Sequence, residues 1–213
     1  MKEFPKTDRT TITRLAKRGS YDKETVYAIL DEALYCTLAW SDNGQPYQIP
    51  TGFCRIGDTV YIHGSVGSHY MRLLAEKGLP VCLGITLIDG LVLARSAFHH
   101  SVNYRSVVIF SKPKRVTDPA ELYAALEVFT NKMCPGRWDD VRKPTDSEWK
   151  ATMVLAFDIA EASAKIRVGP PKDDEEDYVL DVWAGVQPLT LVPGTPQPDP
   201  LLKPGISLPA YLT

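Results

Sequence analysis

The chain reads as a mainly β protein with peripheral helices, an α+β fold built on a small antiparallel β-barrel. Three observations predict it. Apolar runs of strand length follow one another, separated by tight turns. One of those turns is Asn43-Gly44, the dipeptide best suited to a two-residue hairpin. No strand–helix–strand repeat of parallel type recurs, so the sheets are expected to be antiparallel with helices packed outside.

In order, residues 1–20 read as an extended basic arm, with Lys6, Arg9, Arg14, Lys17 and Arg18 and no apolar period. Ser20 and Asp22 offer N-caps, and Val26, Ile29, Leu30 and Ala33 share one helical face, predicting a helix that ends near Leu34. Cys36 to Trp40 and Tyr47 to Phe53 form the hairpin around Asn43-Gly44. Pro50 is awkward in a central ladder and fits better where the strand bends or leaves pairing, which is also where ligands approach. A turn at Ile56-Gly57-Asp58 leads to the strand Thr59–His63, and Ser68 caps a helix over His69–Lys77. Strands follow at Leu79–Thr86 and, after an expected turn at Asp89-Gly90, at Leu91–Ala94. Tyr104–Val116 reads as one long strand, and Asp118-Pro119 opens a helix with Leu122, Leu126 and Phe129 in step. An irregular stretch at Pro135–Trp138, a short helix near Ser147–Lys150 and strands at Met153–Ile159 and Ala164–Val168 complete the domain. From Gly169 onward, and above all past 190, frequent proline argues against regular structure. Leu201, Leu202, Ile206, Leu208 and Tyr211 favour a tail wrapped on a neighbour. The organisation is therefore an arm (1–20), one domain (21–190) and a Pro-rich tail (191–213).

Composition narrows the function classes. With 44% hydrophobic residues, 213 residues can bury one sizeable core. A net charge of -2 argues against a nucleic-acid protein, and no apolar run is long enough to span a bilayer. The start of the chain lacks a secretory signal, so a cytoplasmic location is the expectation. Cys36, Cys54, Cys82 and Cys134 show no C-x-x-C spacing and are expected to be reduced core residues. No metal site is expected.

Three segments carry chemistry. In His63-Gly64-Ser65-Val66-Gly67-Ser68-His69, two glycines let amides converge, serines add hydroxyl donors, and a helix begins. With Arg72 one turn on, that is a phosphate cradle, or else a plain capped turn. Arg95 to Ser106 crowds His99, His100, Asn103, Tyr104, Arg105 and Ser106 into a loop entering a strand, suited to line a ligand. Asp173 to Asp177 reads as a solvated acidic loop, and Trp183 beyond it can stack on a flat ring or anchor an interface. Motifs for serine hydrolases, zincins, P-loops and dinucleotide-binding βαβ units are missing.

Taken together, Tyr61-Ile62-His63-Gly64-Ser65, Asp89 to Ser101, Asn103 to Val107, Pro135-Gly136-Arg137-Trp138 and Val182 to Val186 resemble the pyridoxamine 5'-phosphate oxidase-like flavoproteins. Within that family they are similar to the flavin-nucleotide-binding, nitroimidazole-resistance-like branch, from about Arg14 to Leu189. The resemblance implies an FMN-binding split barrel, a homodimer with two flavins at the subunit interface. It implies that Ile49, Pro50 and Thr51 line the ring and ribityl chain. His63, Gly64, Ser65, Ser68, His69 and Arg72 hold the phosphate, and Asn103, Tyr104, Arg105, Ser106 and Trp183 close the site from one subunit or the other. In that branch an arginine is common where His69 stands here. The arginine-rich C-terminal segment of true pyridoxamine-phosphate oxidases is replaced by proline-rich sequence, which disfavours vitamin B6 oxidation. The expected function is an FMN-dependent oxidoreductase of a small molecule, nitroreductase-like. The alternatives are a flavin carrier or sensor without turnover, and a haem-binding protein on the same barrel with a histidine as axial ligand. No residue is demanded as an acid or base; His99, His100 or Tyr104 could supply a proton near the ring.

Overall fold

The structure, a computed structural model, describes residues 2–212. Helix α1 (Lys23–Glu32) starts where Asp22 caps it, its carboxylate accepting from the Thr25 amide at 2.8 Å. Its apolar face buries Val26, Ile29 and Leu30. The helix ends two residues before the expected Leu34, because Ala33 is already extended and leads into β2.

Strands β2 (Tyr35–Asp42) and β3 (Gln45–Gly52) form the expected hairpin, with Asn43 and Gly44 both at positive φ, 51° and 81°. β4 (Cys54–Ile56) and β5 (Thr59–Ser65) make the second, and α2 (His69–Lys77) follows. The Asp89-Gly90 turn does not form. β6 runs unbroken from Val81 to Leu93, with a bulge between Ile88 and Gly90 that absorbs the irregularity. Gly90 is needed for a different reason: a Cβ there would lie 3.0 Å from the Gln187 carbonyl and from the Val186 side chain.

The long strand expected at 104–116 is two. β7 (Ser101–Ser111) stays in the large sheet, whereas β8 (Pro113–Arg115) joins the other. Helix α3 (Pro119–Met133) is capped by Asp118, and the stretch at 135–138 that looked irregular contains the short α4 (Arg137–Asp140). A Thr145–Glu148 capping box starts α5 (Asp146–Ala151), and β9 (Thr152–Asp158) and β10 (Glu161–Arg167) follow. Regular structure does not end at Gly169, because β11 (Gly185–Pro188) pairs with the far end of β6.

Two antiparallel sheets result, neither closed on itself among the described residues. The larger has the order β1-β10-β7-β6-β2-β3, with β1 formed by Gly19–Ser20 and β11 added to β6; the smaller is β4-β5-β9-β8. Between them and under α1 and α2 lies the main core, including Leu38, Ile62, Leu83, Ile85, Ile109, Leu155 and Phe157. Helix α3 covers a second cluster around Tyr61, Val154 and Ala156 with Leu122, Leu126 and Phe129. The mainly β architecture with peripheral helices is as expected.

The N-terminal segment is less free than expected. Phe4 and Thr10 are buried, and Arg9 and Thr7 both bond to Glu161. Cys36 and Cys54 are buried and all four cysteines are free thiols. Burial pushes the Cys36 thiol up to about 12 and that of Cys54 to about 11, so neither is a nucleophile at neutral pH. Among the described residues, no helix is long and apolar enough to cross a membrane.

Candidate functional site

β3 is the edge of the large sheet, which is why it tolerates proline twice, at Pro46 and Pro50. Register places Pro50 in one row with Thr37, Gly84, Val108 and Ser163 across five strands. Alternation along β7 puts Tyr104 and Ser106 on the same side of the sheet as Val108, facing away from the main core. Pro50 is exposed and Gly84, Thr37 and Tyr104 half-buried, so this outer face is open and floored by small residues. Ile49 and Thr51 have the opposite parity, and Ile49 packs against the core.

Beside β3, β5 ends in the loop that leads into α2. Ser65 Oγ accepts from the Gly67 amide at 3.0 Å, and the Ser68 amide donates to the Ser65 carbonyl at 2.9 Å, which folds the loop tightly onto the helix start. Ser68 occupies the N-cap position, yet its hydroxyl makes no capping bond, so the first amides of α2 keep their donors unspent on it. His69 and Arg72 are exposed, and among the described residues neither side chain has a hydrogen-bond or ion-pair partner. Tyr70, next along, is half-buried; burial raises its hydroxyl pKa, and a hydrogen bond with Thr51 opposes the rise. Thr51 of β3 is thereby tied to α2. His63 lies edge-on to Phe129 at 4.3 Å between ring centroids, and burial lowers its pKa, favouring the neutral imidazole.

Through Thr51 and Tyr70 the structure therefore sets β3 beside the segment that carries His63, Gly64, Ser65, Ser68, His69 and Arg72; Ile49 and Thr51 share the face turned to the core, and Pro50 faces the other way. The remaining predicted residues lie elsewhere. Asn103, Tyr104, Arg105 and Ser106 stand on β7, three strands from β3, roughly 14 Å at usual strand spacing. Most of them already have partners. Arg105 binds both Asp89, at 2.7 Å, and Glu32, which ties the bulge of β6 to the end of α1. Its guanidinium lowers the Glu32 pKa. Asn103 accepts from the buried Arg167 and donates to the Gly169 carbonyl at 3.2 Å, and the Ser106 hydroxyl donates to the Lys165 carbonyl at 3.1 Å. Trp183 is exposed and lies over Gly185, where a Cβ would come within 2.9 Å of its ring.

The acidic segment is not simply solvated. Asp173 is fully shielded against Arg95, which bonds to it through both its amide, at 3.0 Å, and its guanidinium, at 3.1 Å. His99 bonds to Asp174 at 3.2 Å, and with Asp177 their ligand-type atoms lie within 4.8 Å of one another; no ion is present. His100 points back to the Ser96 carbonyl instead, so the two adjacent histidines do not converge.

One feature escaped the sequence. Trp40 stacks on Tyr47 (5.4 Å, 12°) and on Tyr70 (6.0 Å, 26°), and its buried indole N–H has no partner. The aromatic stack borders a depression of ≈ 660 Å³ on the large sheet. Its signal was legible in the hairpin: a two-residue turn at 43–44 fixes Trp40 opposite Tyr47.

Residues 22–166 match the family model described as pyridoxamine 5'-phosphate oxidase. None of the curated proteins matches the chain. Among solved structures, the flavocytochrome Anf3 from Azotobacter vinelandii is 40% identical with a TM-score of 0.89, over 97% of this chain and 95% of that one. The FAD and heme binding protein from Mycobacterium smegmatis is 37% identical with a TM-score of 0.86, over 91% and 95%. A 5-nitroimidazole antibiotic resistance protein from Bacteroides thetaiotaomicron, 21% identical with a TM-score of 0.59 over 70% and 86%, shares the fold. The chain belongs to the pyridoxamine 5'-phosphate oxidase-like family of flavin-binding split-barrel proteins.

Proposed function

We propose that this chain is a homodimeric redox protein that carries a flavin and a haem and exchanges electrons with a small molecule. The observation that carries this reading is His69. Its imidazole, unpaired among the described residues, stands exposed on the first turn of α2, just after the loop where a phosphate cradle would want a cation. Imidazole nitrogen is a natural ligand for haem iron. The two neighbours that match nearly the whole chain are, by description, a flavocytochrome and an FAD- and haem-binding protein, and their likeness supports the same pair of groups here.

A flavin also fits the residues present. The amides at the start of α2, with Ser65 and Ser68, offer donors to a phosphate oxygen, and Arg72 adds a full charge. Pro50 leaves no N–H pointing from the edge of β3, and Gly84 and Thr37 let a flat ring lie close to the sheet. Tyr104, on the same outer face, can hold a proton for the reacting ring or release it. When bound, the flavin supplies two-electron exchange with a small molecule and the haem iron single-electron exchange. A reducing compartment, the cytoplasm, suits the four free thiols.

The second reading is an FMN-dependent oxidoreductase without haem, favoured by the donor-rich loop at His63–Arg72, whose helix-start amides and Arg72 suit a phosphate. Replacing His69 separates the two. His69→Ala is expected to abolish the haem Soret band of the purified protein while flavin content holds. A variant that keeps its haem removes His69 as the ligand. If wild-type protein contains FMN alone, the second reading replaces the first.

A further inference from the structure

We propose that the Pro-rich tail of one chain lies in the aromatic depression on the large sheet of a second copy, so that the two subunits exchange tails. The inference rests on the homodimer proposed above.

The tail is unaccounted for within its own subunit. It is moored at both ends: the Leu189 amide donates to the Asp89 carbonyl at 3.1 Å, and the Tyr211 hydroxyl accepts from Arg137 at 3.0 Å and donates to Asp140 at 2.6 Å. Between these moorings, residues 190–208 are exposed without a break. They include Leu191 at 86%, Val192 at 71% and Leu201 at 90% exposure. An apolar strap of this kind, held at its ends and buried nowhere, needs a surface outside its own fold.

Its conformation narrows what that surface is. Residues 189–199 form no regular structure, and Pro193, Pro196, Pro198 and Pro200 favour the polyproline II helix. Pro193-Gly194-Thr195-Pro196 repeats proline at the three-residue period of that helix, followed in step by Asp199 and Leu202. Segments of this type dock on shallow grooves lined by aromatic rings, at little entropic cost because they are already extended.

The depression of ≈ 660 Å³ has that lining: Ala39, Trp40, Tyr47, Gln48, Cys82 and Phe110. An adjoining one of ≈ 300 Å³ shares Phe110 and Arg9 and adds Lys112 and Lys114. Across this second depression three cations face two carboxylates, Asp158 and Glu161, leaving a net positive charge. Residues 190–208 carry two charged side chains, Asp199 within the proline-spaced part and Lys203 just beyond it. Apolar character therefore matches, and the acid of the proline-spaced part suits the positive depression.

The test uses cysteine pairs in the cofactor-loaded, full-length protein on a Cys82→Ser background. Gln48→Cys marks the groove; Thr195→Cys, Gln197→Cys and Asp199→Cys mark the tail in separate variants. Each tail variant is co-expressed with the groove variant and oxidised. The expected result is a disulfide-linked pair of chains from at least one combination and none from either variant alone. Absence of linkage from all three, in protein whose solution mass is that of two chains, overturns tail exchange and leaves the dimer standing. A disulfide formed only when both cysteines share one chain overturns it too, since the tail then lies in its own groove. A solution mass of one chain removes the homodimer and this inference with it.

Discussion

Lys132 shows how one residue couples burial to pH. Its ammonium group donates to the Leu30 carbonyl at 2.8 Å, near the end of α1, and sits 3.6 Å from the Phe53 ring centroid. Burial is the largest influence on it and lowers its pKa from 10.5 to about 8. The folded state therefore binds fewer protons than the unfolded state between pH 8 and 10.5, and stability rises with pH across that window. The penalty is fully present below pH 8, and a pKa fall of this size corresponds to at most about 3 kcal/mol. Urea titrations from pH 7.5 to 10 are expected to show a midpoint that climbs in the native protein and climbs less in Lys132→Met. Parallel curves would contradict this account. Lys132 was not legible as special, since nothing local in the sequence marks a lysine that tertiary packing buries. Arg105 is the converse case: the sequence marked it as site-lining, but its side-chain partners Glu32 and Asp89 are distant along the chain and near only in the fold.

At the scale of elements, local signals were read correctly where they act through few residues. Asn43-Gly44 fixed a hairpin and Asp118-Pro119 a helix start, whereas Pro50, expected where the strand bends or leaves pairing, stays paired with Thr37 and is tolerated because β3 is an edge. Asp89-Gly90 misled because the same dipeptide that makes a turn also makes room. Here the glycine admits β11 against β6, a contact with a segment nearly a hundred residues away. Gly90→Val is expected to crowd the Gln187 carbonyl and cost about 1–3 kcal/mol, the usual range for overpacking. Hydrogen exchange should show lost protection at residues 185–188 and little change in β2 or β5. Uniform loss across the sheet would instead make Gly90 part of the global fold. The loop at 63–69 was legible as a donor-rich turn ahead of a helix, and the structure ties that helix to β3 through Tyr70 and Thr51. Its occupant was less legible, because His69 suits a metal ligand while the surrounding amides suit an anion.

For the whole molecule, the two open sheets explain why the outer face proposed to hold the cofactors is broad and exposed in a single chain. One edge strand, the outer face from Pro50 to Tyr104 and a long apolar tail all lack a covering layer. In the proposed function, a second subunit would supply such a layer and flat prosthetic groups would fill what remains. Family membership was legible from several separated motifs in order, since each preserves a turn or strand end that the fold requires. Which groups the proposed surface would hold was not, because isoalloxazine and porphyrin both ask for a flat, small-residue surface beside a helix start.

The most direct test is the absorption spectrum of the purified protein, with its cofactors released and identified. The account predicts a Soret band together with flavin absorbance, and both a flavin and haem in the extract. Flavin without haem, or haem without flavin, would contradict it.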